Sequence, residues 1–92
     1  MIHKEPATKN YDQETLFRYW RSLTGPEKLD YSRRCKLSMH IMGRMANGHK
    51  GPDIHQALTL ERESGGAVNK RQYMPLIDWD KVESIIKNME AA

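Results

Sequence analysis

The sequence is poor in cysteine and has no long apolar run. Cys35 is the only cysteine among 92 residues, so no disulfide forms within the chain, and an isolated cysteine of this kind is usually a small buried residue. No stretch approaches the roughly 18 apolar residues that span a bilayer, and the first residues, MIHKEPATKN, lack the apolar core of a signal peptide. We therefore expect a cytoplasmic protein with a buried thiol.

Motifs typical of enzymes are also missing. The sequence contains no glycine-rich phosphate loop, no cysteine pair or His-x-x-x-His spacing for a metal, and no recognisable Ser-His-Asp arrangement. Its four histidines are scattered at positions 3, 40, 49 and 55. We expect no catalytic residue, no cofactor and no metal site.

What the sequence does contain is an uneven distribution of charge. The formal net charge is +3, and the 38% hydrophobic and 29% charged residues are typical of one small folded domain. Residues 1–27 are neutral and residues 51–92 carry −2, whereas residues 28–50 hold six basic residues and one acidic residue, a net charge of +5. Such a basic segment is typical of a surface that meets a polyanion, although a merely solvated face produces it too.

The spacing of apolar residues predicts a series of short helices. Residues 1–10 show no periodicity, and we expect them to form a flexible arm. The predicted helices span about residues 12–23, 26–35, 39–46, 54–64 and 78–90. The side chains expected to face the core are Leu16, Trp20, Leu23, Leu29, Tyr31, Ile41, Met42, Met45, Ile54, Ala57, Leu58 and Leu60.

Helix boundaries follow from capping residues. Ser38 is placed to cap the third helix, and Asp78 or Asp80 to cap the last one. The stretch Ala67–Leu76 lacks helical spacing and is predicted to be an extended segment or edge strand. The fold class we expect is all-α, a compact four- to five-helix bundle with this extended segment, divided into a domain at 11–76 and a C-terminal helix at 77–92.

The basic segment coincides with a predicted helix-turn-helix. In the run KLDYSRRCKLSMHIMGRMAN, residues 28–47, Ser32 supplies a small residue where two short helices would cross. The inward positions are occupied by Tyr31, Cys35, Leu37, Met42 and Met45. The outward positions are polar or cationic, as expected of a helix that lies in a DNA major groove. Short helix pairs in protein-interaction domains have similar spacing.

The chain resembles the Cro and YdaS-like branch of the lambda-repressor-type DNA-binding proteins of phages and prophages. The resemblance covers roughly residues 16–75 and is carried by Met45–Gly48, the loop at Pro52, and the segment ALTLERESGGAVNKRQYMP at residues 57–75. It implies a lambda-repressor-like helical bundle in a bacterial host cell that binds operator DNA, commonly as a dimer, and regulates transcription without catalysis. The turn departs from the family pattern, because Lys36 stands where glycine is usual and must accept a left-handed or an adjusted backbone.

The resemblance places the reading residues on the helix at 38–46. The candidates for contact with base edges are Ser38, Met39, His40, Gly43 and Arg44. Each of the first four has a plainer alternative: a helix cap for Ser38, a core position for Met39, a solvated surface for His40 and tight packing for Gly43. The candidates for contact with phosphates are Lys28, Arg33, Lys36, Asn47, His49 and Lys50.

The sequence thus predicts a sequence-specific, double-stranded DNA-binding regulator, a Cro-like repressor that works as a homodimer. Its dimer contacts are expected at residues 68–74 or after Asp78, which offer apolar residues outside the bundle. The alternative is a protein-interaction module, such as a phage inhibitor, an adaptor or an antitoxin, that binds a partner through residues 78–90.

Overall fold

The computed structural model describes residues 10–91, which form six helices and no strand. The helices are α1 (Gln13–Ser22), α2 (Gly25–Arg34), α3 (Met39–Ala46), α4 (Ile54–Glu63), α5 (Lys70–Tyr73) and α6 (Trp79–Ala91). The all-helical prediction is confirmed for this part of the chain. Of the predicted arm, residues 1–9 lie outside the described residues, and Asn10 is exposed.

Polar side chains at the predicted boundaries begin the helices. Asp12 caps α1, and Thr24 and Asp53 form capping boxes with Glu27 and Gln56 at the starts of α2 and α4. Each cap accepts a hydrogen bond from a backbone N–H that has no partner inside its helix, and so fixes where the helix starts.

α2, α3 and α4 end in the same way. The residue after each C-cap has a positive φ: 62° at Lys36, 79° at Gly48 and 65° at Gly65. The following N–H then donates to a carbonyl oxygen five residues earlier, as from Leu37 to Ser32 at 3.0 Å. Of the two backbones expected at Lys36, left-handed or adjusted, the structure has the left-handed one.

All six helices contribute to one core. α1 packs against α3 and α5, α4 against α5, and α2 against α3. The buried side chains include Leu16, Trp20, Tyr31, Cys35, Met42, Met45, Leu60, Val68, Tyr73 and Trp79. The Tyr31 hydroxyl donates to the Leu60 carbonyl oxygen at 2.9 Å, which satisfies this polar atom inside the core and ties α2 to α4.

For two residues the prediction of a core position is wrong. Leu29 is 46% exposed, because it lies two residues from buried Tyr31 and successive helical positions two apart point about 200° away from each other. Ile54 is 38% exposed at the first turn of α4, where it lines a shallow apolar groove against α6 instead of the core.

The extended segment predicted at residues 67–76 is also wrong. Asn69 caps the single turn of α5, and its side chain accepts hydrogen bonds from the N–H groups of Arg71 at 2.9 Å and Gln72 at 3.2 Å. Val68, Tyr73 and Met74 are buried in the core. These apolar side chains are therefore not exposed for the dimer contacts predicted at residues 68–74.

α6 lies against the bundle by its first turns. Of the two predicted caps, Asp78 is the one used, since its carboxylate accepts from the Lys81 N–H at 3.1 Å. Trp79 is buried, and its indole N–H donates to the Met74 carbonyl oxygen at 2.8 Å. Ile85 and Met89 remain exposed farther along the helix. None of the described helices is long and apolar enough to cross a membrane.

Candidate nucleic-acid interface

α3 has one buried face and one exposed face. Met42, Met45 and Ala46 are buried against the bundle. His40 and Arg44 lie four residues apart and are both exposed, so they share the opposite face. The amphipathic division of this helix is therefore the one predicted.

The residues at the start of α3 have defined roles in the fold. Ser38 is the N-cap, and its Oγ accepts from the Ile41 N–H at 3.0 Å. Because Ser38 is exposed, its hydroxyl can also meet a ligand. Met39 is 38% exposed, so the core alternative for this residue is wrong.

Gly43 has open space around it. A Cβ added at this position would meet no other described atom within 4 Å, apart from its own helix backbone and chain neighbours. Tight packing within residues 10–91 therefore does not explain the glycine. It is half-buried and lies at the edge of the exposed face, beside His40 and one residue before Arg44.

Most basic side chains of residues 28–50 form no ion pair within the described part of the chain. Within residues 10–91, no carboxylate forms an ion pair with Arg33, Lys36, Arg44 or Lys50, and all four side chains are exposed. Arg33 and Lys36 flank the α2–α3 turn, while Lys50 follows the end of α3. These cations therefore bracket the exposed face of α3 along the chain.

The remaining phosphate candidates are placed differently. Lys28 is half-buried near the start of α2, with its ammonium 5.3 Å from the centre of the Trp20 ring. Asn47 is the C-cap of α3 and is exposed. His49 is exposed in the loop after α3, and its N–H donates to the Arg44 carbonyl oxygen at 2.8 Å. Lys28 thus lies at the far end of α2 from the turn, and the other two lie at the end of α3.

Arg34 is the basic residue whose charge is used inside the fold. Its guanidinium binds the Asp30 carboxylate at 2.9 Å and, on α4, the Glu63 carbonyl oxygen at 2.7 Å and carboxylate at 3.0 Å. Hydrogen bonds to Asp30 and Glu63 raise the pKa of Arg34, and bonds from Arg62 and Arg34 lower the pKa of Glu63. These contacts of Arg34 were not predicted from the sequence. The spacing of Asp30 and Arg34 signals the first of them, whereas the contact with Glu63 depends on tertiary structure.

Cations outside the basic segment are more often neutralised. Lys70 binds the carboxylates of Glu61 and Glu83, each at 2.9 Å. Arg71 binds Asp80 at 2.9 Å and Glu83 at 3.1 Å. The hydrogen bonds with Glu61 and Glu83 raise the pKa of Lys70, and the bond from Lys70 lowers the pKa of Glu83. Unpaired cations are therefore more frequent in the basic segment than in the rest of residues 10–91.

Cys35 is a structural residue. It is buried as the C-cap of α2, and burial raises the pKa of its thiol to about 11. The thiolate needed for nucleophilic or metal-binding chemistry is disfavoured at neutral pH. Residues 10–91 also contain no group of three or more histidine, cysteine or acidic side chains arranged to hold a metal ion.

Comparisons of the chain with models of protein families, with curated proteins and with solved structures found no match.

Proposed function

We propose that the protein is a sequence-specific transcription regulator that binds duplex DNA. In this proposal α2 and α3 form a helix-turn-helix, and α3 enters the major groove, which is about 12 Å wide and admits one helix. The observation that carries the proposal is the exposed face of α3, on which His40 and Arg44 lie with no hydrogen-bond or ion-pair partner among the described side chains, at the edge of which lies half-buried Gly43.

The chemistry of that face suits base edges. An arginine guanidinium can donate two parallel hydrogen bonds to a guanine. An imidazole can donate a hydrogen bond to a base edge or accept one from it. Met39 is exposed at the start of the helix and can contact a thymine methyl group. Arg44 is the residue we expect to contribute most to sequence preference.

The charges beside α3 suit the DNA backbone. Arg33, Lys36 and Lys50 are exposed and unpaired within residues 10–91, so binding a phosphate breaks no ion pair of the fold. Phosphate contacts fix the position of a protein on the duplex and supply most of its salt dependence. Together with the resemblance to Cro-like repressors, this division of roles favours a phage or prophage repressor that binds operator DNA as a dimer.

Selection of binding sites from random duplex DNA, followed by a salt titration on the selected site, tests the proposal. We expect one enriched sequence and a steep loss of affinity with salt. The log–log slope should be about −2.7 for each protomer, at −0.9 for each of its three phosphate contacts. Lys87→Ala is the control, since Lys87 is exposed on α6 and should leave the slope unchanged. Failure to enrich any sequence, or an affinity independent of salt, would refute the proposal.

Binding of a protein partner through α6 is the second candidate function. Ile85 and Met89 are exposed on this helix, at 49% and 70%, and Ile85 borders the apolar groove between α4 and α6. This surface lies on different helices from the proposed DNA face. A regulator that binds both DNA and a protein, as an antitoxin does, would use the two surfaces separately.

A further inference from the structure

Three helix ends of this protein make the same turn with different residues. At the ends of α2, α3 and α4, the residue after the C-cap has a left-handed backbone, and its N–H and the next one bond back into the helix. Gly48 and Gly65 occupy this position after α3 and α4, and Lys36 occupies it after α2.

A lysine at this position is unfavourable for the fold. Its Cβ crowds the following carbonyl group when φ is positive, whereas glycine has no Cβ and adopts this conformation freely. The chain uses glycine at the two matching positions, so the turn itself does not need a side chain. The lysine at residue 36 must be explained by something else.

The fold makes no visible use of the Lys36 side chain. It is exposed, and no hydrogen bond or ion pair joins its ammonium to another residue in 10–91. It lies between Arg33 at the end of α2 and Ser38 at the start of α3, which is the edge of the proposed DNA face. A strained residue that does not support its own structure is a candidate for function.

We propose that Lys36 binds a DNA phosphate beside α3, and that the protein is less stable than a glycine variant because this lysine holds a left-handed backbone. The proposal rests on the proposed function, because it assigns a role at the same DNA interface. Position 36 then exchanges fold stability for affinity, in contrast to positions 48 and 65.

Variants at this position separate backbone strain from charge. Lys36→Gly should raise Tm by about 4 °C because the strain is relieved. It should also reduce the salt slope by about 0.9 and weaken binding about fivefold at roughly 0.15 M salt, because one phosphate contact is lost. Lys36→Asn removes the charge but tolerates the turn, so it should bind like the glycine variant. Lys36→Arg keeps the charge and should keep the slope.

Gly65→Lys is the matched control. Gly65 occupies the same kind of turn at the end of α4, and a Cβ there would meet no described atom within 4 Å outside its chain neighbours and helix. This variant should lower Tm by about 4 °C and leave DNA affinity no weaker than that of the wild type.

The results distinguish failure of this inference from failure of the proposed function. If wild-type protein binds duplex DNA and Lys36→Gly keeps the wild-type salt slope, or gains no stability, the role of Lys36 is overturned and the proposed function stands. If wild-type protein binds no duplex DNA, both are overturned. A variant that is more stable, binds more weakly and has a shallower salt slope supports the inference.

Discussion

Arg44 and Lys50 are both exposed and unpaired within the described part of the chain, but they occupy different places. Arg44 lies on the exposed face of α3, and Lys50 lies in the loop beyond it. We expect Arg44→Ala to lower affinity for the selected site by about 1 to 3 kcal/mol and to relax preference at one or two base pairs. Lys50→Ala should weaken binding to all sequences alike and reduce the salt slope by about 1.

Binding assays on the selected site and on its single-base variants distinguish these effects. Neither substitution should change the free energy of unfolding by more than about ±0.5 kcal/mol, as is typical of surface substitutions. If Arg44→Ala keeps both affinity and base preference, α3 is not the reading helix. The protein-interaction alternative would then take its place.

Gly43 provides a second test at the same surface. Because a Cβ here would meet no other described atom within 4 Å outside its helix and chain neighbours, Gly43→Ala should stabilise α3 by about 1 kcal/mol through helix propensity. If DNA approaches the backbone closely at Gly43, the same methyl group should weaken binding to the selected site. Thermal unfolding and a binding titration measure the two effects. Higher stability with unchanged affinity would show that DNA does not approach the backbone there.

At the scale of the helices, the boundaries of α3 were predictable because a local hydrogen bond sets its start. Ser38 caps α3 as predicted, and α3 spans the predicted residues, because a serine before an apolar-periodic run is itself the mechanism that starts the helix. The exposed face of α3 was predictable from the helical spacing of its methionines, because the exposed face lies opposite the buried one.

What the sequence could not determine depends on tertiary packing. Asn69 carries a capping signal for α5, but a single helical turn has no periodicity to support it, so the segment resembled a strand. The contact between Arg34 and Glu63 joins residues of α2 and α4 whose proximity depends on the whole fold. For this reason the sequence did not show which cation of the basic segment is neutralised.

The ion pairs that hold α6 predict its response to acid. Lys70 and Arg71 bind Glu83, and the pKa of Glu83 lies below its ordinary value of about 4.3. The ion pairs of Glu83 contribute their full stabilisation at a pH above the pKa that Glu83 has in the unfolded chain. This contribution is lost as the pH falls through the lowered pKa of the folded state, because Glu83 then becomes protonated. Stability should therefore decrease below about pH 4.

Glu83→Gln should lower Tm at pH 7 by at most a few degrees, because Glu83 is 45% exposed and Lys70 keeps its ion pair with Glu61. It should also reduce the difference in Tm between pH 7 and pH 3. Glu90→Gln is the control, as Glu90 forms no ion pair among residues 10–91. Thermal unfolding by circular dichroism measures all three proteins. An unchanged difference in the Glu83 variant would mean that other carboxylates determine the acid response.

At the scale of the whole molecule, two surfaces have different chemistry. Near α3, four basic residues form no ion pair within residues 10–91: Arg33, Lys36, Arg44 and Lys50. Beside α6, Lys70 and Arg71 are neutralised by carboxylates. Since Val68, Tyr73 and Met74 are buried, only the second of the two predicted dimer contacts, α6, retains exposed apolar side chains. A dimer formed through α6 would leave both copies of α3 free.

We therefore expect a dimer that reads two similar half-sites about 34 Å apart, one turn of DNA. The double variant Ile85→Asp with Met89→Asp should be a monomer and should bind operator DNA more weakly. It should keep its helical fold, because both side chains are exposed in a single copy. Leu76→Asp is the control, since Leu76 is 77% exposed but lies before α6. Sedimentation equilibrium and footprinting measure the two properties. A wild-type monomer that protects one asymmetric site would contradict this arrangement, because a single copy of α3 would then suffice.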